Sequence, residues 1–237
     1  MSAVDSRLRE NIECVRERID TACRRGGRDP STVRLVAVTK YADLAWVRQL
    51  PPLGVRILGE SRPQQLIERA AELGDDVEWH LIGHLQRNKV RPVLPCTALI
   101  HSVDSLRLLQ RIDEVAGELQ LRPRVLLEVN VTGEPSKDGF APADLVAAWG
   151  TASSLARVQI EGLMTMAAFA DDPEAARPAF ERLRRLRDEL QRLAPDHPRP
   201  ELSMGMSHDF EVAIEEGATY VRIGSLLFEG LGPDVRA

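Results

Sequence analysis

Cysteine, lysine and aromatic residues are all scarce in this 237-residue chain, and so are long apolar runs. The three cysteines, Cys14, Cys23 and Cys96, are an odd number with no CxxC pair. That argues against a disulfide framework or a zinc ribbon and fits a reducing compartment. No stretch approaches the roughly 20 apolar residues of a membrane helix. The opening MSAVDSRLRENIE carries charges where a signal peptide would carry its apolar segment, so the expected location is the cytoplasm. There is no basic excess either. The 31 Lys plus Arg stand against 36 Asp plus Glu, which argues against nucleic acid as the main partner. HExxH, Walker A and GxGxxG motifs are missing. His80 and His84, four residues apart on a strand, would sit about 13 Å from one another, too far to share a metal, and no metal is expected. His197 falls in a Pro-rich stretch and reads as solvated. Adjacency alone does not make Ser207 and His208 a nucleophile and its base.

The scarcity of lysine is the informative one. Only Lys40, Lys89 and Lys137 occur among 31 basic residues. Genome composition can produce such a bias, yet a lysine can give up its proton and attack a carbonyl, which a guanidinium practically cannot.

What is present is an alternation. An amphipathic helix is predicted over 4–25, with Leu8, Ile12, Val15 and Ile19 at helical spacing and Gly26-Gly27 as its stop. Strands are predicted at 33–39, 55–59, 77–83, 98–103, 124–131, 158–164, 201–204 and 219–224, and helices at 61–73, 105–119, 142–155, 174–193 and 209–216. Eight strands alternating with helices mean a parallel sheet, read here as one (β/α)8 barrel domain over 1–237 with an extra N-terminal helix. A doubly wound open sheet is the alternative. The leucine stripe Leu183, Leu186, Leu190 and Leu193 reads as the inner face of an outer helix, with a dimer seam as the competing reading. A monomer is expected.

In a barrel, chemistry collects at the C-terminal strand ends. Those ends read Thr39-Lys40, Glu60-Ser61, Gly83-His84, His101-Ser102, Asn130, Met164-Thr165, Gly205-Met206-Ser207 and Arg222-Ile223-Gly224-Ser225. Lys40 is in phase with Val36 and Val38, branched residues that suit a barrel interior, and partial desolvation at such a mouth would free its amine for Schiff-base formation. SMGMSH (203–208) and RIGSL (222–226) each place Gly and Ser before expected helical sequence, where free N–H groups make a phosphate cradle. Together with Lys40 they form a constellation for a phosphorylated aldehyde.

The motifs LVAVTK (35–40), EWHLIGHLQRNK (78–89), GLMTM (162–166), SMGMSHDFEVAIEEG (203–217) and VRIGSLLFEG (221–230) resemble those of the pyridoxal phosphate homeostasis proteins, along nearly the whole chain. The resemblance implies a barrel like the N-terminal domain of alanine racemase and pyridoxal 5′-phosphate (PLP) as cofactor. It implies Lys40 as the Schiff-base lysine, Ser207, Gly224 and Ser225 at the phosphate, and Arg222 facing the pyridine nitrogen. Ser61, Met164, Gly205 and Met206 are further candidates for cofactor contact. It also implies a role in vitamin B6 and amino-acid balance, supplying PLP to apoenzymes without turnover. This chain departs from the family pattern at Ser61, where asparagine is usual, at His84, where proline or a small residue is common, and at Arg87, where serine is common. Asn88 and Lys89 keep the motif.

A cationic Arg222 disfavours a second positive charge on the pyridine ring, which argues against decarboxylase or transaminase chemistry. Racemisation needs a base on each face of the substrate carbon, and the sequence ends thirteen residues after Gly224, with no counterpart of the racemase's second domain. A carrier is therefore expected. A weak racemase-like enzyme and a barrel binding another phosphorylated metabolite are the alternatives. Lys137, in the EPSKDG stretch, is a candidate second aldehyde site for PLP transfer, against a plain solvated turn lysine.

Overall fold

The computed structural model describes residues 3–134, 137–195 and 200–231, and His197 lies outside them. The sheet is a closed parallel barrel in the order β1 to β8, so the open-sheet alternative does not hold. Helix α1 (Ala3–Arg25) precedes β1 (Arg34–Val38), α2 (Leu44–Val47), β2 (Ile57–Glu60), α3 (Pro63–Leu73), β3 (Glu78–Leu81), α4 (Val90–Val93) and β4 (Leu99–Val103). Then come α5 (Leu106–Leu119), β5 (Arg124–Glu128), α6 (Pro142–Ser153), β6 (Gln159–Met164), α7 (Arg177–Leu193), β7 (Glu201–Met206), α8 (Phe210–Glu215) and β8 (Tyr220–Ile223). The one-turn helices α2 and α4 have no counterpart among the predicted elements, being too short to show a period. The predicted helix 61–73 begins only at Pro63, because a residue before proline avoids helical geometry and proline suits the first turn.

The barrel closes by pairing β1 with β8, Arg34 opposite Tyr220 through Ala37 opposite Ile223. Most of the core lies between the sheet and the helices. The leucine stripe of α7 belongs to it: Leu183, Leu186 and Leu190 are buried, and only Leu193 at the helix end is exposed. Helix α1 buries Leu8, Ile12, Val15 and Ile19 and is tied to α8 by Arg18–Glu211 and Arg25–Glu215 ion pairs, both 2.7 Å.

A smaller cluster fills the barrel itself: Val36, Leu99, Leu126, Met164 and Tyr220. The interior is less apolar than the valines of β1 suggest. His80, His101 and Ser203 are also fully buried there, and Arg34, Glu78, Arg124, Glu161 and Glu201 pair across the N-terminal end.

Candidate functional site

Three strand ends meet where the sequence places its lysine and its two Gly-Ser segments. Lys40 follows β1 and is half-buried, its Nζ 4.9 Å from the Tyr41 ring centroid. The loop carrying it is fixed from α3. Arg69 Nη1 donates to the Thr39 carbonyl and Nη2 to the Ala42 carbonyl, both at 2.7 Å, and Gln65 donates to the Lys40 carbonyl at 3.3 Å. Arg69 is in turn paired at 2.7 Å with Glu60, fully buried at the end of β2, which also accepts from the Thr39 hydroxyl. Burial raises the Glu60 carboxyl above its usual range, while Thr39 and Arg69 pull it back. Both lysine-loop residues and partners are thus locked by one buried ion pair.

At the ends of β7 and β8 the Ser207 Oγ accepts from the Gly224 N–H at 3.2 Å, so the two candidate phosphate segments touch. A Cβ placed on Gly224 would meet Val38 of β1 at 3.3 Å, which sets this pair beside the lysine-bearing strand. Ser225 is exposed, and the chain after it runs as turns rather than the expected helix, with Leu227 N–H donating to the Gly224 carbonyl at 3.0 Å. Gly205 has φ +90°, and a Cβ there would lie 2.9 Å from Phe210 Cα, so only glycine makes this approach without strain. The Met206 N–H donates to Asp209 at 2.6 Å, which holds the turn presenting Ser207. Gly83, after β3, is equally constrained: a Cβ would stand 2.2 Å from the carbonyl oxygen of Ser61.

Arg222 is 4% exposed and lies inside the barrel near this mouth. Its Nη1 donates to Ser203 Oγ at 2.6 Å and its Nη2 to the Thr165 carbonyl at 3.0 Å. Burial lowers its pKa to about 10, against the opposing pull of Asp209 and Glu128. Of the other candidates, Ser61 is half-buried at the end of β2, Met206 is exposed and Met164 is fully buried in the barrel interior.

Some strand-end readings need correction. His101 does not face the mouth; it is fully buried within β4, and Ser102 donates to the Gly83 carbonyl at 2.6 Å. Asn130 is a loop organiser, donating to the Glu134 and Lys137 carbonyls at 2.7 and 3.2 Å. Lys137 itself pairs with Glu134 at 2.7 Å. The residue that ends β5 is Glu128, which the sequence reading passed over. It is 5% exposed, and burial pushes its carboxyl up to about 7, with Arg222 and His84 lowering it and Asp104 and Asp138 raising it. His84 lies 3.0 Å from Asp104 and 3.6 Å from Asp138, so the mouth carries a histidine with two carboxylates that spacing along one strand did not foresee. Tyr41, after β1, Met166 and Phe169, after β6, and Met206, the last residue of β7, are exposed at that end of the barrel.

The chain matches the family described as alanine racemase, N-terminal domain, over residues 6–231. It is 44% identical to the pyridoxal phosphate homeostasis protein of Aquifex aeolicus over 220 residues, 92% of this chain and 96% of that one. The homologue of the same name from Pseudomonas aeruginosa is 43% identical over 224 residues, 94% and 95% of the two chains. Among solved structures, PipY of Synechococcus elongatus with PLP bound superposes with a TM-score of 0.83 at 39% identity, covering 93% of this chain and 99% of its own. An alanine racemase of Clostridium difficile, at 18% identity and TM-score 0.74, shares the fold and is matched over 57% of its length. Its sequence and its barrel together place the chain in the pyridoxal phosphate homeostasis protein family, within the alanine racemase N-terminal domain fold.

Proposed function

We propose that the barrel, with α1, forms one unit that binds PLP at this mouth and serves intracellular PLP and amino-acid homeostasis as a carrier. In this reading Lys40 forms the Schiff base, Ser207, Gly224 and Ser225 take the phosphate, and Arg222 faces the ring nitrogen. The observation that supports it most is the junction of β1, β7 and β8: the Ser207–Gly224 hydrogen bond and the Gly224–Val38 approach bring hydroxyl and amide groups beside the strand that Lys40 follows by two residues. The donor set fits the group, with an amine for an aldehyde, neutral donors for a phosphate and a guanidinium for a ring nitrogen. When bound, PLP supplies a reactive aldehyde and an electron-withdrawing ring. Arg222 opposes further positive charge there, which suits holding the cofactor over driving carbanion chemistry. The exposed apolar side chains at the mouth suit a protein recipient.

The test is the visible spectrum of wild type and Lys40→Ala, before and after borohydride. A yellow wild type fixed to Lys40, beside a mutant with no such band, is expected. A wild type that stays colourless with added PLP overturns the PLP reading and leaves a barrel for another phosphorylated metabolite. Glu128 favours one competing reading, because it puts a carboxyl near neutrality at a mouth that the sequence reading treated as lacking a base. Amino-acid turnover lost in both Lys40→Ala and Glu128→Gln would turn the carrier into a weak enzyme. Lys137 is proposed as a transfer site for departing cofactor. Lys137→Ala is expected to slow delivery to an acceptor apoenzyme, and delivery at the wild-type rate would end that role.

A further inference from the structure

Five side chains link the mouth of the barrel to its opposite end. Arg222 Nη1 donates to Ser203 Oγ at 2.6 Å. Ser203 Oγ is 2.8 Å from His101 Nδ1, His101 Nε2 is 2.9 Å from His80 Nδ1, and His80 Nε2 is 3.0 Å from Glu78 Oε1. Ser203, His101 and His80 are fully buried, and the Tyr220 ring lies edge-on to both imidazoles at 5.5 and 5.4 Å. The direction of every bond follows from the two ends. A guanidinium only donates, so Ser203 accepts from Arg222 and gives its own proton to His101 Nδ1. His101 then carries its hydrogen on Nε2 and donates to His80 Nδ1. His80 carries its hydrogen on Nε2 and donates to the Glu78 carboxylate, which only accepts. Reversing the chain would leave the Ser203 hydroxyl hydrogen facing a cation. Burial lowers both imidazole pKa values, His101 well below its ordinary value, so the neutral forms this order requires are the favoured ones.

We propose that Ser203, His101 and His80 are a one-way positioning relay that holds Arg222 cationic and oriented, coupling its charge to Glu78 at the far end of the barrel. This rests on the reading of Arg222 as the ring-facing residue. Its cause is polarisation: each donor along the chain strengthens the next, and the lone pair offered to Arg222 is richer when the last acceptor is charged. Other charges act on the same groups. Arg124 and Arg34 face the histidines, Arg124 also pairs with Glu78 at 3.3 Å, and Asp209 and Glu128 face Arg222. None of these interrupts the chain.

The first test needs no cofactor. Ring-nitrogen NMR of the cofactor-free protein is expected to show His80 and His101 as neutral Nε2–H tautomers from pH 6 to pH 8. A charged ring or an Nδ1–H tautomer at either residue overturns the relay. The second reads the visible band of PLP-loaded protein against pH. Glu78→Gln, at a partly exposed residue remote from the mouth, is expected to move the midpoint of that titration by about 0.5 pH unit. His80→Leu should move it in the same direction. His80→Gln, which can both accept from His101 and donate to Glu78, should restore the wild-type midpoint. A core packing role alone would leave the Glu78→Gln midpoint in place, and that result would overturn the coupling. A protein with no visible band at all would sink the cofactor reading instead, and the coupling to Arg222 would then be judged on the tautomers alone.

Discussion

Arg69→Ala is expected to lower stability by about 3–5 kcal/mol and to loosen the lysine loop in the same stroke. Glu60 is fully buried, and among the described residues one of its oxygens already lacks a hydrogen-bond partner and Arg69 is the one cation paired with it. Deleting the guanidinium strands a carboxylate in a medium that cannot solvate it, which costs far more than the lost pair itself would suggest. Glu60→Gln in the Arg69→Ala background should recover much of the loss, because the remaining group is then neutral and still bonds the Thr39 hydroxyl. The Ala42 carbonyl would lose its guanidinium donor as well, and the Thr39 carbonyl would keep only the Ala42 N–H, at 2.9 Å; these carbonyls flank Lys40. Chemical denaturation gives the stability term, and the rate at which added PLP becomes reducible onto Lys40 gives the positioning term. Equal stability of Arg69→Ala and wild type would show that the pair is decoration. Lost stability with an unchanged labelling rate would show that α3 does not fix the loop.

How far the sequence reaches is clearest along β3 and β8. The alternation of strands and helices and the placing of Lys40, Ser207 and Gly224 just after the ends of β1, β7 and β8 follow from local period and turn chemistry, and the structure keeps them, though turns replace the helix expected after Ser225. The polar column inside the barrel does not. Glu78 and His80, Leu99 and His101, and Tyr220 and Arg222 each share one face of a strand, and the expectation of a branched apolar interior hid their meaning. The legible signal was a titratable residue in the inward phase, which no solvated reading explains. Glu128 was missed in the same way, two residues beyond Leu126 and four beyond Arg124 on β5. His84 could not be placed with Asp104 and Asp138 from sequence, because the three stand on separate loops, after β3, β4 and β5, that only the lateral pairing of those strands brings side by side.

Glu128 carries the second large effect, and it is one of pH. Its carboxyl sits at about 7 in the folded protein against an ordinary value of 4.5, through burial first and the nearby Asp104 and Asp138 next. Below pH 4.5 both folded and unfolded chains hold the proton and the full benefit of the neutral buried form is present. As pH rises from there towards 7 the unfolded chain releases its proton first, so stability falls, and above 7 the folded protein carries a buried charge at a constant cost. The shift corresponds to about 3 kcal/mol between the two limits. Glu128→Gln has the same shape and no proton to lose. Its stability relative to wild type is therefore expected to rise by about 3 kcal/mol between pH 4 and pH 8, read from urea denaturation at matched ionic strength. All other titrating groups are common to both proteins, so the difference isolates this carboxyl. A gap that does not change with pH would place Glu128 in a solvated or fully paired setting and remove it from acid–base reasoning about the mouth. A gap that opens as expected would mark a carboxyl whose burial beside Arg222 weakens the fold at neutral pH, the arrangement found where a site needs a proton to be taken up or given.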